Sequence, residues 1–171
     1  MRTAHSPFSI HHSFFLTLLP NKYRNRRLLV TFDGNADAPT VVASGTDSFS
    51  ACKKALDDSK IMHGVVKVLG VDNRGNVIAV RPKYVAFTYV GPSVSGLKKG
   101  QAGPQRDKLK KVFHGVSLEI QFDDLSDFTQ ESIARRLLAS GGAHKPTEYR
   151  FAHDAEPDVI TIESLLGQSH T

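Results

Sequence analysis

Two β-rich runs, Ile61 to Val71 and Val77 to Val90, flank the turn-forming cluster Asp72-Asn73-Arg74-Gly75-Asn76, and no other feature restricts the fold as much. Runs of β-branched and aromatic residues separated by Asp, Asn and Gly read as strands joined by a turn, so one long central hairpin is expected. Pro82 falls inside the second run. A proline has no N–H to give to the ladder, so it should mark the start of the main strand or a bulge, with Lys83 at the strand entrance.

Other elements fall on either side. Leu28 to Phe32 reads as a strand ended by Asp33-Gly34, and Thr40 to Ala43 as a second strand. Ser48 can cap a helix whose apolar face carries Phe49, Cys52, Ala55 and Leu56, ending near Ser59-Lys60. After the Gly/Ser/Pro loop from Pro92 to Gly103, Pro104 suits the first turn of a helix that reaches Phe113 and stops at Gly115. Leu109, Val112 and Phe113 share one face of it, which leaves Arg106 and Lys110 outward. Val116, Leu118, Ile120 and Phe122 alternate with polar residues, as in a strand with one buried face. Asp124, Ser126 or Asp127 can cap a last helix with the stripe Phe128, Ile133 and Leu137, and Gly141-Gly142 offers a left-handed stop.

These patterns divide the chain into an atypical segment 1–27, a domain 28–143 and a flexible tail 144–171. Segment 1–27 lacks periodicity, and its apolar run Phe14 to Leu19 is too short for a membrane helix, which needs about 20 residues. A mitochondrial transit peptide fits its acid-free composition better than a secretory signal does, and a disordered extension or a remnant first helix fits better still. The tail carries no sustained apolar pattern beyond a short helix at Val159 to Leu166, so a chain ending at Ala143 is expected to unfold much as the full chain does.

The formal charge of +5 would suggest a nucleic-acid partner if it were spread evenly, but Arg2, Lys22, Arg24, Arg26 and Arg27, with no acid among them, account for all of it. Within the neutral remainder, Arg81, Lys83, Lys98, Lys99, Arg106, Lys108, Lys110 and Lys111 are offset only by Asp107, and the stretch after Val112 is acid-rich. Such polarity favours an oriented acidic partner surface over a uniform polyanion.

Catalytic signatures are missing: the sequence has no nucleophile elbow, no dinucleotide glycine fingerprint and no helical His pair for a metal. His11-His12 has no partner cluster, so no metal or other cofactor is assigned. Gly96 to Gly103 lacks the Gly-Lys-Ser/Thr of a phosphate loop. Cys52, the single cysteine, reads as a core residue of a chain from a reducing compartment.

The run Arg81-Pro82-Lys83-Tyr84-Val85-Ala86-Phe87-Thr88-Tyr89-Val90-Gly91-Pro92-Ser93-Val94-Ser95-Gly96-Leu97 resembles the central strand and following loop of the coactosins, of the ADF/cofilin homology type. The helix-then-strand spacing from Ser95 to Phe122, the ending Gly141-Gly142-Ala143 and the opening Val30-Thr31-Phe32 with Asp33-Gly34 are similar to that family too. The resemblance covers about Arg27 to Ala143. It implies an α/β (α+β), gelsolin-like sandwich with a mixed central sheet of about five strands flanked by helices. It also implies a cytoplasmic, cytoskeletal, monomeric protein without catalysis, which binds the side of filamentous actin and, in some relatives, phosphoinositides. Lys83 matches the family's filament-contacting lysine. A second family lysine falls on Ala139, for which Arg135 or Arg136 would substitute, and the family's amphipathic first helix has no clear counterpart in 1–27. The competing reading is a basic module for phosphoinositides or nucleic acid using the same lysines. DNA is not an expected partner.

Overall fold

The computed structural model describes residues 27–33, 38–46, 49–113, 115–142, 145–151 and 158–167, which build a mixed β-sheet with helices on both faces. Its spine is the hairpin of β3 (Ile61–Arg74) and β4 (Val77–Val90), paired along its whole length from Ile61 opposite Val90 to Arg74 opposite Val77. Gly75 closes the turn at φ 65°, in the left-handed region that glycine enters without a Cβ clash. β1 (Arg27–Thr31) runs antiparallel to β3, β2 (Thr40–Gly45) antiparallel to β1, and β5 (Leu118–Phe122) parallel to β4. The path β2-β1-β3-β4-β5 supplies the five mixed strands expected from the sequence, within a sheet of seven strands.

Pro82 lies within β4, opposite Leu69, and marks neither a strand start nor a bulge. The Tyr84 carbonyl accepts the Ser117 N–H on the β5 side, so by the two-residue period the Pro82 nitrogen faces that side too. Pairing with β5 begins only at Val85, and the missing N–H therefore costs no ladder bond.

Strand alternation sends alternate residues to opposite faces, and each face has its own core. On one face Leu28, Val30 and Val65 pack with Leu109 of α3 (Ala102–Lys110), and Val112 and Phe113 close over them. On the other, Leu29, Val66, Val85 and Phe87 meet Phe49 and Cys52 of α1 (Phe49–Lys54) and Ile133, Ala134 and Leu137 of α4 (Gln130–Ser140). α2 (Gly96–Lys99) is a single exposed turn before α3. Leu109→Ala is expected to lower stability by about 2–5 kcal/mol. Phe113→Ala should cost less, because its ring is only partly buried; urea midpoints of the two variants measure the difference.

Helix ends differ in detail from the sequence reading. α1 stops at Lys54, and Ala55 and Leu56 pack against the core from beyond it. Thr129 caps α4, its hydroxyl accepting the Ser132 N–H at 3.1 Å, while Asp124 instead accepts the Ser126 N–H in the preceding turn. Gly141 leaves the helix extended, at φ −70° and ψ 135°, so no left-handed stop is used there. Gly34, Ser48 and residues 1–26, on which a turn, a cap and the N-terminal readings rest, lie outside the described residues.

The segment beyond Ala143 departs most from expectation. β6 (Glu148–Arg150) pairs antiparallel with β3, β7 (Val159–Thr161) pairs with β6, and α5 (Ile162–Gly167) follows. Tyr149, Phe151 and Leu165 are buried in the same core as Phe87 and Phe128. The described part of this segment is thus integral to the sheet and core, where the sequence reading expected a loosely held tail. A three-residue strand is too short to display a period, and this one is held by main-chain bonds to a distant partner.

Candidate functional site

The cationic residues that are contiguous in sequence are separated by the sheet. Lys83 and Arg81 sit on β4 opposite Val68 and Gly70, on the side that carries α4. Arg106, Lys108, Lys110 and Lys111 belong to α3 or its C-terminal cap, whose Leu109 is buried on the opposite side. Lys98 and Lys99 occupy α2, exposed, beside the equally exposed Leu97. Arg135 and Arg136 lie on α4.

Their electrostatic surroundings differ as much as their positions. Lys110 pairs with Glu119 at 3.2 Å, and Arg106 donates to the Gln121 side-chain oxygen Oε1 at 3.3 Å. The Lys108 ammonium stands 5.9 Å from the centre of the Phe32 ring, within the range of a cation–π contact. Arg135 donates to Glu131 at 2.8 Å and to the Leu165 carbonyl at 2.7 Å, which ties α4 to α5. Arg136 is exposed on the same helix. Among the described residues, Arg81 and Lys83 have neither an ion pair nor a hydrogen-bond partner, and both line a groove of about 320 Å³ with Gly70, Asp72, Ala79, Gly142 and Pro146. Apolar side chains extend the same hairpin end: Val77, Ile78 and Val80 are at least half exposed.

His63, which the sequence reading did not single out, joins the sheet to α3. Its Nδ1 lies 3.0 Å from the Thr88 hydroxyl and its Nε2 3.2 Å from the Gln105 side-chain oxygen, so a neutral ring donating from Nε2 satisfies both contacts. Burial holds its pKa below the usual histidine value; the Gln105 hydrogen bond opposes this and the charge of Arg106 adds to it. The unfolded chain therefore binds a proton near pH 6.5 that the folded protein resists. Stability from this group is complete above about pH 6.5 and declines as the pH falls below it. Urea midpoints between pH 7 and pH 5 should fall in the native protein and fall less in His63→Gln.

Among the described residues, no three His, Cys, Asp or Glu side chains converge as metal ligands would. Cys52 is fully buried, and burial pushes its thiol up to about 12, consistent with packing and not with reactivity.

Residues 15–138 match the model of the cofilin/tropomyosin-type actin-binding proteins. The chain belongs to that family. The match begins inside the segment that the sequence reading set apart as 1–27, and ends before β6. Mouse coactosin-like protein is 27% identical over 126 residues, 68% of this chain and 85% of its own. With the bovine and human coactosin-like proteins, also 27% identical, the match runs over 70 residues, so the chain spans about half (49%) of their length. Among solved structures, a coactosin from Entamoeba histolytica superposes with a TM-score of 0.63 at 15% identity, over 74% of this chain and 89% of that one. Human coactosin-like protein in solution gives 0.62 at 19%, over 91% and 98%. A Streptomyces griseoflavus cofilin gives 0.60 at 14%, over 75% and 92%. These likenesses are of fold.

Proposed function

We propose that this chain is a coactosin-like module that binds the side of actin filaments, acting in the cytoplasm as a cytoskeletal protein without catalysis and as a monomer. The observation that carries the reading is the match of residues 15–138 to an actin-binding family. A solved mouse relative, 18% identical, is described as an actin filament binding protein, and the same role is proposed here. Charge supports it: Arg81 and Lys83, without an ion-pair or hydrogen-bond partner among the described residues, stand on the outer half of β4, with exposed Lys98, Lys99, Lys111 and Arg136 on neighbouring elements. An acidic filament surface would gain rate and orientation from such a distribution without any enclosed pocket. A basic sleeve for nucleic acid or phosphoinositides is not favoured, because the cations are split between two faces of the sheet and several on α3 are already paired.

Co-sedimentation with actin filaments tests the reading, and pelleting of the native chain in proportion to filament concentration is the expected result. Lys83→Glu should weaken binding by about tenfold or more, the scale of a central contact, while leaving the melting curve unchanged. Lys98→Glu should weaken it less, as rim charges do. Native-level pelleting of folded Lys83→Glu would remove this residue from the interface.

A further inference from the structure

His63 is 1% exposed and lies where three layers of the fold meet: β1 and β4 on either side of its strand, and α3 above. Its two ring contacts belong to different elements, since Thr88 stands on β4 and Gln105 on α3. The ring thereby pins the helix to the sheet. A cavity of about 20 Å³, room for about one water, adjoins it between α3 and β5. Phe32 closes another side, edge-on at 5.9 Å.

The charges around the ring oppose a further proton. Lys110 of α3 and Glu119 of β5 face the cavity as a pair at 3.2 Å, and Arg106 of α3 is the cation whose charge reaches the ring. Exposed Asp107 approaches Arg106 at 3.8 Å and Lys110 at 4.0 Å, and Lys108 stands 5.9 Å from the centre of the Phe32 ring. Asp33, next to Phe32, accepts the Thr40 hydroxyl of β2. The partners of His63 in β1 and β4 are the uncharged Val30 and Thr88. Among the described residues, no carboxylate is hydrogen-bonded to the ring.

We propose that His63 is the pin of a pH-sensitive latch: when the ring takes up a proton, α3 lifts from the sheet while β3 and β4 stay paired. A charged ring held dry beside Arg106 is costly, and the Thr88 hydroxyl loses the acceptor it uses in the neutral state. Relief requires water at the ring. The helix is the element that yields, because Ala102 and Leu109 are its only buried side chains and its N-cap Gln101 makes no side-chain capping bond. The strand of His63 is held by ladder bonds on both edges. Lifting α3 carries Arg106, Lys108 and Lys110 away from β5 and bares Leu109, so the cationic surface differs between neutral and acidic solution. The latch goes beyond filament binding and does not depend on it.

Hydrogen exchange in the full chain, followed by NMR and corrected for intrinsic rates, tests the latch. With α3 open the ring has an ordinary pKa of about 6.5, and with α3 closed it stays neutral, so the open fraction should rise about tenfold between pH 7.5 and pH 5.5. Protection of the Leu109, Lys110 and Phe113 amides is expected to fall by that factor and to stay below that of the β3–β4 ladder at both pH values, as a local opening requires. His63→Gln keeps a donor for Gln105 and an acceptor for Thr88 but does not titrate, so its α3 protection should be the same at both pH values. A fall of the same size in His63→Gln would overturn the inference, as would α3 amides that exchange no faster than the ladder. Ring nitrogen shifts of His63 in the native chain give a check that needs no variant. A ring that becomes protonated by pH 5.5, or stays neutral there, with α3 protection unchanged would show that the helix does not open to the proton.

Discussion

A chain ended at Ala143 should show no cooperative thermal unfolding transition. Truncation removes Tyr149 and Leu165, each 1% exposed, and Phe151, 4% exposed, from the larger core. Deleting one large buried side chain costs about 3–5 kcal/mol for an aromatic and about 2–5 for leucine. Losses on that scale at three sites approach the whole stability of a domain, about 5–15 kcal/mol. The main chain suffers as well, since β6 pairs with Leu69, Gly70 and Val71 of β3, and their edge would be opened to water. Circular dichroism during heating measures the outcome, and a truncated chain melting like the full one would place these side chains outside the core. Tyr149→Ala alone should keep a cooperative transition at a lower midpoint, which separates loss of packing from loss of the strand.

Phe128→Ala is expected to be the most damaging single core substitution, lowering stability by about 3–5 kcal/mol. Its ring is fully buried and stacked on Phe122 at 4.5 Å and 12°, with Phe49 at 4.6 Å and Phe87 at 4.8 Å. Through these neighbours one side chain joins β5, α1 and β4 just before the Thr129 cap starts α4. The surrounding rings are anchored on separate elements and cannot all collapse into the vacated space, so the cavity should persist. Phe151 approaches Phe49 at 5.7 Å and extends the same cluster, so Phe128→Ala combined with Phe151→Ala in the full chain should be non-additive. Urea unfolding monitored by tyrosine fluorescence gives the midpoint, and a shift equivalent to less than about 1 kcal/mol would contradict a rigid cluster. Phe128→Leu, which leaves a smaller void, should lose less.

Legibility of the fold followed the range of the forces involved. The β3–β4 hairpin, the α3 face of Leu109, Val112 and Phe113, and the alternating strand at β5 were readable because each is a local period in the sequence. Thr129 was missed as a cap because Asp124, Ser126 and Asp127 offer the same chemistry nearby, and only the helix axis selects among them. Pro82 looked incompatible with a strand interior until the strand order left its outer edge open. His63 gave no signal, being one polar residue in an apolar strand whose partners Thr88 and Gln105 are 25 and 42 residues away.

The sequence by itself determined most of the elements between Leu28 and Leu137, the resemblance to the coactosins and the overall excess of cations between Arg81 and Lys111, since composition and period are properties of neighbouring residues. Tertiary structure decided what those cations can do. Pairing β4 between β3 and β5 put Arg81 and Lys83 on one face and α3 on the other, and thereby divided one basic stretch into two surfaces. Docking of residues 145–151 along β3 then supplied the wall of the groove beside Lys83 and brought Tyr149 and Phe151 into the core. The bonds that fasten Thr147 to Val71 and Asn73 span more than 70 residues, and such contacts leave no trace in local sequence because each partner is shaped by the other only after the sheet has formed.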